Sequence, residues 1–258
     1  MNLDPAELEP YRQLHGARLS RHPVAGPCFV CEGRFLVEAA LSAAAEGRLN
    51  VLSVLTGEKT TITISPDIPH FVLEESALHE LVGFPFHRGV LCAVALPPEP
   101  DTEFLMAANR LVVLPHVDNV DNLGLVLRSA AALGIDGLLA GRGPGLFERR
   151  TVRVSMGAAW ALPAWQREDP WPLLEAWKRR GGEIVGAALT PEAQRIQEWE
   201  PAPRTALVLG SEAHGLDATW LQRCDRLVQI PMARRMDSLN LASAAAILLH
   251  HMTQDRTE

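Results

Sequence analysis

Three short polar sets carry the residue types that could do chemistry: Asn122-Leu-Gly-Leu-Val-Leu-Arg128, Gly210-Ser-Glu212 and Ser238-Leu-Asn240. They offer a guanidinium, a carboxylate, carboxamides and hydroxyls. An arginine in an otherwise apolar helical stretch needs a partner, so Arg128 is read either as a salt bridge to a carboxylate such as Glu212 or as a ligand contact. Ser238 is equally a plain helix N-cap. The second and third sets lie in TALVLGSEAHGL and IPMARRMDSLNLASAAAILLHH, between residues 205 and 251. Two short apolar strands end there in turns of small and polar residues. Such strand ends expose backbone N–H and C=O groups beside a crevice, and small residues let a ligand lie against that backbone.

Other chemistries are excluded. GRGPG (141–145) does not match G-x-G-x-x-G and follows the second strand of its domain, not the first. GSEAHGLD has Walker A glycine spacing without the Lys-Ser/Thr pair. Cys28 and Cys31 form a CxxC with no second pair nearby, inside an apolar strand pattern, and read as structural thiols. His250 and His251 close a helix, where they favour its dipole. No metal is expected.

The elements that must position these sets fall into two rhythms. Residues 1–20 read as a weakly helical lead-in (Leu8, Tyr11, Leu14). A strand, a Gly33 turn and a helix with Phe35, Leu36, Ala39, Ala40 and Ala43 on one face follow, stopped by Gly47. LNVLSVLTG and TTITIS read as strands, 75–82 as a helix and HRGVLCAVALP as a strand, giving a compact α+β domain. PPEPDTE (97–103) reads as a linker. Beyond it, RLVVLPHV (110–117) suits a parallel strand buried on both faces, and Asp121 or Asn122 can cap the helix that ends at Gly134. Strands DGLLAG, EIVGAAL, RTALVLG and RLVQIPM alternate with helices at 171–180, in DATWLQRC and in SLNLASAAAILLHH. That alternation implies a mostly parallel sheet with helices on both faces.

Composition narrows the class. The 258 residues, 47% of them apolar, can build one large core or two modest ones. The opening MNLDPAELEP is acidic, and no apolar run reaches about 18 residues, so a cytoplasmic protein with no membrane partner is expected. A net charge of −7 argues against a broadly basic nucleic-acid binder. The distribution is more telling, because 22 of the 24 basic residues are arginine. Arg142, Arg149, Arg150 and Arg153 fall together, with Arg234 and Arg235 adjacent in the last signature loop. Arginine suits bidentate phosphate contacts, although a GC-rich genome also raises its share.

Taken in order, N-x-G-x-x-x-R after the first strand of the second domain, LGSE after a later strand, and IPM…SLN before the last helix resemble the three signatures of the SPOUT methyltransferases. The match is to the TrmH/SpoU branch, which methylates ribose 2′-hydroxyls of RNA. TVRVSMGA (151–158) is similar to the stretch this branch carries before its mid-domain helix. CEGRFLVEAAL and HRGVLCAV resemble its accessory RNA-binding domain, related to small ribosomal proteins. The likeness covers most of the chain.

The resemblance implies an α/β fold in which a SPOUT domain at 105–258, with a mostly parallel sheet and a C-terminal trefoil knot, follows an accessory α+β RNA-binding domain at 1–98 and a linker at 99–104. It implies S-adenosylmethionine as cofactor, touching Leu209, Gly210, Ile230, Pro231, Met232, Ser238 and Leu239, with Ala188 in the pocket wall. Arg128 would fix a phosphate or stabilise developing alkoxide charge, while Asn122, Glu212, Ser238 and Asn240 hold the geometry. His214 is an alternative base. RNA contacts fall to Arg34, Arg88, Arg142, Arg149, Arg150 and Arg153, and the family's members are homodimers. The folded N-terminal domain favours ribosomal RNA over tRNA. Two departures stand out: Arg234 and Ala213 occupy positions where the signatures carry glycine. They keep open a non-catalytic RNA-binding protein on the same fold, beside a metabolic enzyme using another adenosine-containing ligand.

Overall fold

The computed structural model describes residues 5–16, 19–212, 214–233 and 238–254. Its chain packs as two units, Met1–Pro98 with Phe147–Gly157, and Glu99–Leu146 with Ala158–Glu258. Ala213 and Arg234, the two departures from the signatures, lie outside the described residues, as does Arg235.

In the first unit a 3-10 turn at Pro5–Tyr11 precedes β1 (Ser20–His22), β2 (Gly26–Glu32), α1 (Arg34–Ala45), β3 (Val51–Gly57), β4 (His70–Leu73), α2 (Glu75–Val82) and β5 (Val90–Ala95). The sheet order is β1-β2-β5-β3-β4, antiparallel except for β3 with β4. Residues 1–20 are more than a lead-in. Tyr11 is fully buried among Leu55, Leu78 and Leu91, its hydroxyl 2.9 Å from the Ser53 carbonyl and accepting from Ala93 N at 3.1 Å. The buried phenol keeps its partners, which removes the cost of burying it.

Two local expectations fail. TTITIS (60–65) is coil, and the strand beside β3 is His70–Leu73 instead. Alternation marks a possible strand, but only a free sheet edge in register makes one. In α1 the buried face is Leu36, Val37, Ala40 and Ala43, and Phe35 is 59% exposed. Gly33, at φ 91°, is the N-cap from which the helix starts.

The second unit begins with α3 (Thr102–Ala107), capped by the Asp101 carboxylate, so the end of the expected linker is helical. Then come β6 (Arg110–His116), α4 (Val120–Ala132) and β7 (Gly137–Arg142). The next helix, α5 (Arg149–Ser155), belongs to the first unit, where it packs on β2 and the neighbouring Phe147 ring lies 5.1 Å from that of Phe29. The second unit resumes with α6 (Ala158–Ala161), β8 (Ala164–Gln166), α7 (Trp171–Lys178), β9 (Glu183–Ala187), β10 (Gln194–Arg195), β11 (Thr205–Leu209), α8 (Ala218–Arg223), β12 (Arg226–Gln229) and α9 (Leu241–Thr253).

The seven strands run β10-β12-β9-β11-β6-β7-β8, every pairing parallel. Central β6 and β11 are buried along their apolar runs, as parallel strands covered on both faces must be. Trp165 and Trp177 anchor the core and donate their indole N–H groups to the carbonyls of Pro100 (2.9 Å) and Ala108 (2.8 Å). No described helix is long and apolar enough to cross a membrane.

Candidate functional site

Parallel strands all end on the same side of the sheet, so the loops that follow neighbouring strands build one rim. At the C-terminal ends of β9, β11 and β12, closed by the start of α9, lies a cavity of about 490 Å³. Its wall includes Ala188, Leu209, Gly210, Ile230, Met232, Ser238 and Leu239; Pro231, expected beside them, is not part of it. Gly210 is required by close approach, because a Cβ there would stand 2.0 Å from the carbonyl carbon of Gly215. The loop folds back on itself at that point, with Gly215 N bonded to Ser211 O at 2.8 Å.

Among the wall residues missed in the sequence, two are polar and adjoin strand ends. Thr190 Oγ1 is buried without a hydrogen-bond partner and belongs to the cavity lining. A buried hydroxyl left unpaired costs free energy, so one on a residue that lines a cavity is a candidate for bonding a ligand. Gln229, at the end of β12, also lines it. Position alone could have found Thr190, the first hydroxyl after the apolar run of β9.

Beside the cavity the three polar sets meet through Asn240, which caps α9 where Ser238 was the expected cap. Its Oδ1 accepts from Ala242 N (3.0 Å) and Ser243 N (3.3 Å). That commits the oxygen, so Nδ2 faces away and donates to Asn122 Oδ1 (3.0 Å) and Glu212 Oε1 (2.8 Å). The order also fixes the Asn122 amide. Its Oδ1 is used, leaving Nδ2 a buried donor without a partner. Asn122 sits in the first turn of α4, 2% exposed; the cap is Asn119, bonded to Asp121 N at 2.8 Å, where Asp121 or Asn122 was expected.

Arg128 lies two turns further along α4, exposed, and is not part of the cavity wall. The salt bridge to Glu212 does not form; among the described residues Arg128 makes no ion pair and Glu212 meets only Asn240. His214 lines the cavity and is exposed. The cysteines are poor nucleophiles here: burial pushes the Cys28 thiol up to about 11 and that of Cys224 to about 12, and raises Cys31 as well.

The arginines expected to meet RNA divide. Arg88 (3.3 Å), Arg149 and Arg153 (3.7 Å) converge on Glu32, whose side chain is only 4% exposed. Arg149 also lies over the Phe84 ring, 5.1 Å from its centroid. These three guanidiniums compensate a buried carboxylate within the first unit. Arg34 bonds Glu38 (3.1 Å) and the Thr61 carbonyl (2.6 Å), Arg142 stands 3.7 Å from Glu168, and Arg150 is exposed.

The fold and site define a class: an α/β protein with a ligand crevice at the carboxyl ends of a parallel sheet. Residues 109–250 match the SpoU rRNA methylase family. An uncharacterized tRNA/rRNA methyltransferase of Mycobacterium tuberculosis is 32% identical over 97% of this chain and 90% of its own length. The 23S rRNA (guanosine(2553)-2′-O)-methyltransferase RlmP of Bacillus subtilis is 29% identical over 87% of this chain and 88% of its own. The crystal structure of the SpoU methyltransferase AviRb from Streptomyces viridochromogenes, in complex with AdoMet, shares the fold, with a TM-score of 0.75 at 24% identity over 89% of this chain and 90% of that one. The chain belongs to the SpoU rRNA methylase family.

Proposed function

We propose that this chain is an S-adenosylmethionine-dependent RNA methyltransferase acting on ribose 2′-hydroxyls, with ribosomal RNA favoured over tRNA. The observation that carries the reading is the cavity: about 490 Å³, within the range of small-molecule sites, at parallel strand ends, with small residues in its wall and Thr190 Oγ1 unpaired. The donor set fits the cofactor. Apolar Leu209, Ile230 and Met232 can cover an adenosine and a methionine chain, Gly210 admits close backbone approach, and Thr190 offers a hydroxyl. S-adenosylmethionine, when bound, supplies an electrophilic methyl group whose leaving thioether is neutral and needs no acid.

The protein's task is then positioning and charge stabilisation. Asn240 ties α4, the loop after β11 and the start of α9 together through Asn122 and Glu212, so the catalytic loops share one geometry. Arg128 presents a guanidinium without a described protein partner, suited to an RNA phosphate or a developing alkoxide. Ser238, in the cavity wall, helps to orient the ribose. A cytoplasmic homodimer with a knotted C-terminal path belongs to the same reading. Exposed Leu125 and Ile247, on the mutually packed helices α4 and α9, support the dimer, and β12 lying across β9 from β11 while α9 returns to α4 supports the knot.

The test is calorimetric titration with S-adenosylmethionine and S-adenosylhomocysteine, followed by transfer of a radiolabelled methyl group to ribosomal RNA and to tRNA. One ligand per chain and label in ribose 2′-O-methyl nucleosides are expected, with more in ribosomal RNA. Absence of both binding and transfer would overturn the assignment; binding without transfer would move it to a non-catalytic RNA-binding role.

A further inference from the structure

Away from the crevice, three side chains of the first unit stand together: Glu75 and His79 on α2, and His87 in the loop between α2 and β5. Spacing of i, i+4 puts Glu75 and His79 on one helix face. The helix ends at Gly83 in the left-handed conformation, φ 85°, and the loop it releases brings His87 back beside that face. One ligand-capable atom from each of the three lies within 4.8 Å of the other two. The His79 and His87 rings meet edge to face, 5.9 Å between centroids.

The tautomer is set by the backbone. His79 Nε2 is 3.0 Å from the Phe86 carbonyl, which can only accept, so Nε2 carries the proton and Nδ1 keeps its lone pair. A ring nitrogen anchored to a backbone carbonyl is how metal-ligating histidines are oriented. Glu58 and Glu74 line the adjoining depression with Glu75, and so does Lys59, which pairs with Glu75 at 4.0 Å and is almost fully exposed.

We propose that Glu75, His79 and His87 bind a first-row divalent transition ion of the zinc type. Two imidazoles and one carboxylate match the donor preference of such ions, and the exposure of Glu75 and His87 leaves a remaining position for water. The ion would tie α2 to the loop that also carries Arg88, and so order the segment presenting that guanidinium to Glu32. This site is independent of methyl transfer, and its failure would leave the proposed function untouched.

The experiment is titration of the full chain with Co²⁺ as a spectroscopic probe, then displacement by Zn²⁺. A single ion per chain with visible ligand-field bands, displaced by Zn²⁺, is the expected result. His87→Gln alters an exposed residue with no hydrogen bond to the described chain, and should weaken binding by at least about tenfold while leaving the thermal unfolding of the metal-free protein unchanged. Glu75→Gln should weaken it less. Unchanged affinity in His87→Gln, no ion bound at millimolar metal, or thiolate charge-transfer bands placing the ion on Cys28, Cys31 or Cys92 would each overturn the proposal.

Discussion

Glu32 ends a strand of the first unit and Glu212 follows a strand of the second, yet they live in opposite electrostatic conditions. Glu32 is buried and surrounded by Arg88, Arg149 and Arg153, while Glu212 is exposed and meets a single neutral donor, Asn240. A buried carboxylate must be compensated where it stands, and three guanidiniums do so with positive charge to spare. The second arrangement leaves polar groups unmatched: a carboxylate without a described cation, a guanidinium at Arg128 without a described anion, and a buried Asn122 Nδ2 without an acceptor. Saturation suits a part that holds a fold together, and the unmatched polar groups of the second arrangement support its proposed role in binding a ligand.

Breaking the saturated cluster should have the largest effect on stability. Glu32→Gln leaves three crowded guanidiniums without their anion, and urea denaturation should show a loss of about 3 kcal/mol. A loss below about 1 kcal/mol would place the cluster with ordinary surface ion pairs and erase the contrast.

The Asn240 chain comes next. Asn240→Ala removes the α9 cap and should cost about 1 kcal/mol, with methyl transfer falling far more than stability explains. Asn240→Asp keeps the capping oxygen but sets a second carboxylate oxygen against Glu212 where Nδ2 donated, so stability should recover only in part and activity should stay low. Recovery of activity in the Asp variant would show that the cap alone matters.

Arg128→Ala should move stability least, within about 0.5 kcal/mol, since an exposed guanidinium without a described partner holds nothing in place. Methyl transfer should nevertheless be abolished, with S-adenosylmethionine affinity kept, read by calorimetry beside single-turnover kinetics. Lost cofactor affinity would assign Arg128 to the pocket.

Most helices and strands of the second unit were legible because a buried parallel sheet writes long apolar runs punctuated by turns, as β6 and β11 do. The first unit was less so. TTITIS alternates like a strand yet is not one, because alternation does not reveal which edge is free. Tyr11 looked like part of a loose lead-in, although its hydroxyl bridges Ser53 and Ala93 across a large sequence separation.

What the sequence determined by itself was local: helix and strand periods, turn residues, and the three polar sets whose spacing points to the crevice. Tertiary structure alone decided which members of those sets meet. Asn240 reaches Asn122 and Glu212 only because α4, β11 and α9 adjoin, and Arg149 meets Glu32 only because α5 packs on β2. The charge of Arg149 and Arg153 is visible in the sequence, whereas the carboxylate they meet, Glu32, lies more than a hundred residues away. Hydrogen bonds and ion pairs act over a few ångströms of space, and chain folding alone sets those distances.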